Sequence, residues 1–330
     1  MNLKKFPKIE LHIHLDGSVR PSTVSEILKL DKSEIEKEMK VDSSCKDLND
    51  YLTKFDLPLK ILQTKENLIR VSKELAIDLK KDGIIYAEVR FAPILHTKEC
   101  LSCEEVIESV IEGISNMDIK INLIICLMRN SSDIDNYKVI DAGLKYINKG
   151  VVGFDLAGAE SLYKTSEFKN LFKYIKACNI PFTIHAGEAD GASSIKSAIE
   201  FGAKRIGHGV KIIDDSDVIE LARENNITFE VCPTSNIDTK IYKNYKEHSI
   251  KKMYDNNLNI TINTDNRTVS NITLTEEYEK LVNAFNFDLN DLKNMNVNAI
   301  KASFMNTSEK EILKKKYDID YNNFIKKYLL

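Results

Sequence analysis

Short apolar runs alternate along this chain with longer stretches in which apolar positions return every three or four residues. The short runs occupy 8–15, 84–92, 121–129, 151–156, 182–185, 205–208, 227–232 and 258–264. They are rich in Ile, Val and Phe and bounded by Gly, Pro, Asn or Asp, the pattern of strands. The stretches 66–82, 103–116, 166–178, 192–201, 216–225 and 245–256 carry the helical period. Strand alternating with helix predicts parallel βαβ units, and eight strands predict a closed (β/α)₈ barrel of the α/β class. An open doubly wound sheet would gather its ligand groups at one switch point instead. The rhythm breaks once, where about seventy residues separate positions 15 and 84, far more than a loop and a helix need. We therefore expect residues 1–330 to form one barrel with a helical lid insertion over roughly 19–80. In it, Leu52, Phe55, Leu59, Ile61 and Leu62 are the residues placed to present apolar surface to the mouth. The tail beyond position 271 reads as terminal helices.

The C-terminal ends of four of these strands carry chemistry. The first ends in His12 and His14, the fifth in His185 with Glu188 just beyond, the sixth in His208 and the eighth in Asp265. Strand ends of a parallel barrel converge on one mouth, so distant positions meet there. Residues two apart on a strand share a face, so His12 and His14 point the same way. Three imidazoles (His12, His14, His185) and the Asp265 carboxylate make a divalent-metal set that suits zinc, one ion per chain, with iron, cobalt or manganese as alternatives. A lone strand histidine is usually a satisfied core residue, but here four of the chain's 6 His sit at strand ends on one face. Glu188 and His208 stand where proton transfer to and from a reacting group needs them. The glycines flanking His208 serve close backbone approach.

Charge and composition narrow the class. With 47 basic and 50 acidic residues the formal net charge is −3, which offers no basic field to nucleic acid or an anionic membrane. The opening segment lacks the apolar core of a signal peptide. The strongly apolar stretch around positions 121–128 falls far short of the ~20 residues that span a bilayer. A cytoplasmic enzyme acting on a small molecule is expected. The 6 cysteines are scattered; the pair Cys100 and Cys103, at a helix start expected at Ser102, reads as structural.

The segments KIELHIHLDGS from Lys8, FDLAG from Phe154, HAGE from His185, RIGHG from Arg205, CPTSN from Cys232 and NTDN from Asn263 resemble the adenosine deaminases of the metal-dependent amidohydrolase superfamily, in the same order and spacing. The resemblance runs from Lys8 to about Ser270. It implies a zinc-bearing barrel, monomeric and partnered only by its nucleoside substrate, that hydrolyses adenosine and 2′-deoxyadenosine to the inosines and ammonia. By resemblance, His12, His14, His185 and Asp265 hold the zinc, and Glu188 protonates the purine N1. His208 orients the attacking water, and Asp265 assists proton transfer. His14 also borders the substrate, and the Gly158 N–H faces N3.

Substrate choice hangs on few positions. Asp16 matches the aspartate that receives a ribose hydroxyl in nucleoside deaminases, where adenine and aminofutalosine relatives tend to carry Glu. A buried carboxylate left unpaired by free adenine costs about 1–3 kcal/mol. Asn266 stands where many members carry a second aspartate, and its NH₂ donates to N7 without unusual protonation. Ala159 stands where an acid often follows FDLAG. Beside the leading reading stand an adenine or modified-purine deaminase with the same metal site, and a non-catalytic nucleoside-binding barrel. The cytidine-type signature, H-x-E with P-C-x-x-C, is not in the sequence.

Overall fold

The computed structural model describes residues 2–328. Its strands are β1 (Lys8–His14), β2 (Ile84–Phe91), β3 (Lys120–Met128), β4 (Val151–Ala157), β5 (Thr183–Ala186), β6 (Arg205–His208), β7 (Thr228–Val231) and β8 (Asn259–Ile262). They pair in parallel and in chain order as two four-stranded sheets, β1 to β4 and β5 to β8. Bridges between Phe154 and Phe182 and between Ile13 and Asp265 close the two seams. At the second seam the His14 N–H donates to the Asp265 carbonyl at 2.8 Å, and the Asp265 N–H to the His12 carbonyl at 2.9 Å. The result is the expected α/β barrel, with the last seam tied at the chemical residues themselves.

The strand period of two separates two environments. On β1, Ile9, Leu11 and Ile13 join the apolar layer between strands and helices. The alternate positions Lys8, Glu10 and His12 are buried polar groups. Tyr86, Glu88 and Arg90 on β2, Asp155 on β4, Arg205 on β6 and Glu230 on β7 are likewise buried. Barrel interiors are commonly filled by branched apolar side chains. This one is filled with polar and charged groups, and the ion pairs of Arg90 and Arg205 with Asp155, Glu88 and Glu230 among them position the site.

Between β1 and β2 run the helices Pro21–Leu28, Lys32–Met39, Leu48–Leu52 and Asp56–Ile61, followed by Lys65–Lys81. The side chains of Asp31, Asp47 and Thr64 accept first-turn N–H groups and so set three of these starts. Few polar ties hold this insertion to the barrel mouth. Val41 N–H donates to the Val269 carbonyl at 2.9 Å, and the Tyr51 hydroxyl pairs with Ser270 Oγ at 2.9 Å. Cys45, Tyr51 and Val269 form a small separate apolar cluster. Of the residues expected to face the mouth, Ile61 and Leu62 instead pack into the main core.

Two expected helices are subdivided. The stretch 166–178 begins as a 3₁₀ turn, Thr165–Phe168, before Lys169–Ala177. The stretch 245–256 splits into a 3₁₀ turn, Tyr245–Glu247, and a helix, Ile250–Asp255. Its break falls at His248, whose extended backbone (ψ 138°) turns the ring inward. Ser102 caps Cys103–Ile114 with a reciprocal Glu105 bond, as its sequence predicts. Cys100 and Cys103 are free thiols. Helices Leu274–Phe285, Leu289–Ala302 and Thr307–Tyr328 form the tail. Among the described residues no helix is long and apolar enough to cross a membrane.

Candidate metal and substrate site

At the C-terminal mouth, His12, His185, His208 and Asp265 offer ligand atoms that all lie within 4.8 Å of one another. His14 joins them, its Nε2 3.3 Å from His185 Nε2 and 3.4 Å from Asp265 Oδ1. Each expected metal ligand is therefore at the cluster, and distance alone does not choose between His14 and His208.

Hydrogen bonds behind the rings test whether a cation fits. His12 Nδ1 lies 2.9 Å from Glu230 Oε2, and His185 Nδ1 lies 2.9 Å from Asp155 Oδ2. A carboxylate fixes the imidazole proton on the nitrogen facing it, so each Nε2 presents a lone pair to the centre. His12 Nε2 is buried without a hydrogen-bond partner, although Asp265 Oδ1 is 3.4 Å away. Lone pairs from two rings and a carboxylate thus face one another with no proton between them. Such an arrangement repels itself unless a cation occupies its centre, and the donor set suits a divalent metal.

The carboxylates behind the rings are themselves held. Glu230 accepts from Arg90 Nη2 at 2.7 Å and forms an ion pair with Arg205, its Oε1 2.5 Å from Nε. Asp155 accepts from Arg90 Nη1 at 2.9 Å. Burial works against their ionisation, but Arg90 and Arg205 hold Glu230, and His185 and Arg90 hold Asp155, below the usual carboxylate range. Neither Glu230 nor Arg90 emerged from the sequence as a site residue. Their signal is a charged residue inside an otherwise apolar strand, which a period-of-two reading assigns to the interior.

Glu188 follows β5 on a tight loop. Glu160, only 1% exposed, grips that loop by accepting the backbone N–H groups of Gly187, Glu188, Ala189 and Asp190 at 2.7–3.0 Å, and the Ser194 hydroxyl at 2.5 Å. The acid missing at position 159 is thus met by its neighbour. Burial, then the charges of Asp265 and Glu160, push the Glu188 carboxyl well above its ordinary range. Burial therefore favours its protonated form. Ser235 Oγ donates to Asp265 Oδ2 at 2.6 Å. Asn236 Nδ2 lies 3.3 Å from Glu188 Oε1 and 3.1 Å from His208 Nδ1.

A cavity of about 250 Å³ opens onto these groups. His14, Asp16, Gly158, His185, Glu188, His208, Asp265 and Asn266 border it, so eight of the nine expected site residues line one space, with His12 beneath. Leu48, Tyr51, Leu52, Phe55 and Leu59 of the insertion close one side. Burial pushes the Asp16 carboxyl up to about 6. Gly158 adopts φ +107°, a conformation that L side chains rarely take, while the space for a Cβ there is ordinary. Gly207 answers to crowding: a Cβ would sit 3.0 Å from the His12 ring.

The chain is similar to known proteins over nearly its whole length. The adenosine deaminase family matches residues 7–319. An adenosine deaminase of Clostridium perfringens is 44% identical over 327 residues, covering 95% of this chain and 98% of its own. Among solved structures, an adenine deaminase from Arthrobacter aurescens has a TM-score of 0.86 at 22% identity, covering 97% of this chain and 99% of that one. An amidohydrolase from Burkhoderia ambifaria, solved with bound Zn, has a TM-score of 0.87 at 20% identity, covering 97% and 92%. At such identities the two structures speak for the fold alone.

Proposed function

As the chain belongs to the adenosine deaminase family, we propose that it hydrolyses adenosine and 2′-deoxyadenosine to inosine and 2′-deoxyinosine, releasing ammonia. His12, His14, His185 and Asp265 would hold one zinc ion, which supplies Lewis-acid activation of water at neutral pH. Glu188, buried and readily protonated, donates to the purine N1 and so makes C6 electrophilic. His208 directs an N–H toward the same centre and orients the water. Asp265 assists the return of a proton to the leaving amine. The Gly158 N–H meets N3 and the Asn266 amide donates to N7.

The observation that carries this reading is the pairing, in one cavity, of the raised Glu188 carboxyl with Asp16 and an apolar wall. Asp16 suits a ribose hydroxyl. The described lining has no Lys or Arg, so nothing there favours a 5′-phosphate, and the nucleoside is preferred to its nucleotide. The insertion acts as the lid over the ribose and base. In this reading the protein works as a monomer on a diffusible nucleoside in the cytoplasm. An adenine or modified-purine deaminase is the second reading, and Asp16 is what separates them.

Loss of the purine absorbance band on adding adenosine tests this, with adenine and adenosine monophosphate in parallel. Rapid loss with adenosine alone, abolished by a metal chelator, is expected. Turnover of adenine instead would overturn the nucleoside assignment. Asp16→Ala should lower kcat/KM for adenosine about 10- to 100-fold, equivalent to a buried group left unpaired, and leave any trace activity on adenine unchanged.

A further inference from the structure

Behind His208 and Glu188 runs a line of hydrogen bonds that these roles do not use. The Ile250 N–H donates to His248 Nδ1 at 3.0 Å. A neutral imidazole whose Nδ1 accepts must carry its proton on Nε2. Burial keeps His248 neutral, pushing it down to about 3. Its Nε2 lies 3.2 Å from Asn236 Oδ1 and donates there. That contact decides which end of the Asn236 amide is oxygen. The other end, Nδ2, then faces Glu188 Oε1 at 3.3 Å and His208 Nδ1 at 3.1 Å.

An amide NH₂ only donates. His208 Nδ1 must therefore accept, which places the ring's proton on Nε2, the nitrogen turned toward the cluster. His12 and His185 are arranged the opposite way, with carboxylates behind them and lone pairs in front. Glu188 is sorted too: Oε1 takes the amide hydrogen, which leaves Oε2 to bear a proton. Asn236, His208, His248 and Glu188 are all at least nine-tenths buried, so water does not compete for these bonds. The His248 ring is further fixed against Tyr242, with centroids 4.6 Å apart.

We infer that Asn236, oriented by His248, is a positioning residue that fixes His208 as an Nε2–H donor, keeps that nitrogen off the metal, and selects the proton-bearing oxygen of Glu188. This rests on the deaminase reading for the purpose of the proton, while the hydrogen-bond order stands on geometry. It also resolves the choice that distance left open, since an Nε2–H cannot ligate and, among the described residues, His14 has no such partner behind it.

Long-range proton–nitrogen correlation spectra of protein labelled with ¹⁵N-histidine report the tautomer of each ring. They should be recorded both metal-stripped and zinc-loaded, with His208→Gln to assign the signal. Wild type should show His208 protonated on Nε2 in both. Asn236→Asp puts an acceptor behind the ring, and the His208 proton should move to Nδ1. With zinc content retained, kcat on adenosine should then fall about 10²- to 10³-fold. The His248 pair provides a second route that places no new charge at position 236. His248→Gln keeps a donor to Asn236 Oδ1 and should preserve the tautomer and most of kcat, whereas His248→Leu should lose both. A wild-type His208 protonated on Nδ1, an unmoved proton in Asn236→Asp, or equal behaviour of the two His248 variants overturns the inference. Absence of wild-type turnover on adenosine would remove the functional reading and leave the tautomer result to decide the relay.

Discussion

The interior of the barrel and the insertion over its mouth border the same cavity, but they are built differently. Beneath the cluster, Glu230 and Asp155 are locked between imidazoles and buried arginines by ion pairs and hydrogen bonds at 2.5–2.9 Å. Across the cavity, the insertion offers Leu48, Leu52, Phe55 and Leu59, and only a few polar ties hold it down. Charge-assisted bonds fix an atom's position and protonation. Apolar contacts fix a volume and tolerate exchange. The interior should therefore govern metal and rate, and the insertion should govern how well substrate is retained.

The largest effect should come from the interior side. Glu188→Gln keeps the size of the side chain but removes its proton, and kcat should fall about 10³-fold. KM and metal content should stay near wild type. A variant that lost metal along with activity would mean that Glu188 is structural, and the division between the two regions would fail.

Next in size is the support below the rings. Glu230→Gln removes the carboxylate that fixes His12 and takes one of two carboxylate partners from each of Arg90, which keeps Asp155, and Arg205, which keeps Glu88. Metal affinity should fall about 10- to 100-fold, read by competition with a chromogenic chelator. Stability should fall by about 3–5 kcal/mol, read by urea unfolding. If affinity were unchanged, the Glu230 bond would be an ornament of packing and His12 would not need it.

Much of this architecture was legible from sequence because its signals are local. Strand runs and their terminal histidines share one short window, so His12, His14, His185, His208 and Asp265 could be placed at the mouth before any coordinates. What escaped notice is held by pairing across the fold. Glu160 meets the Glu188 loop from 28 positions away, and no periodicity encodes that grip. His248 was hidden for a different reason. Its stretch has a continuous helical pattern, and the break exists because the ring turns in to Asn236, a tertiary bond that overrides local propensity. Glu230 left a trace that could have been followed, as a single acid between Phe229 and Val231. The lid residues divided likewise: alternation cannot tell whether Leu62 faces cavity or core.

On the insertion side, Phe55→Ala removes part of the wall without touching the interior. KM for adenosine should rise about tenfold, with kcat within about twofold, the signature of lost uniform binding. An equal fall in kcat would show that the insertion acts on the chemistry, which would erase the contrast drawn above.

The smallest expected effect concerns how the insertion is fastened. His96, just after β2, lies buried with Nδ1 3.1 Å from the Leu62 carbonyl at the insertion's far end. Burial pushes its imidazole down to about 4, whereas in the unfolded chain it titrates near ~6.5. Between those values the unfolded state binds more protons, so unfolding free energy rises with pH. Stability is accordingly lost as pH falls from about 6.5 toward 4, by about 2 kcal/mol between pH 7 and 5 for this one group. His248, also pushed down, adds in the same direction. His96→Gln keeps a donor to Leu62 and has nothing to titrate, so its urea midpoint should depend less on pH than wild type. Hydrogen exchange should locate the difference in residues 48–64, since a charged His96 is driven out of its buried place against Leu62 and loosens that segment first. An undiminished pH slope in the variant would place the acid sensitivity in the barrel interior instead, and would make the two regions equal in their response to protons.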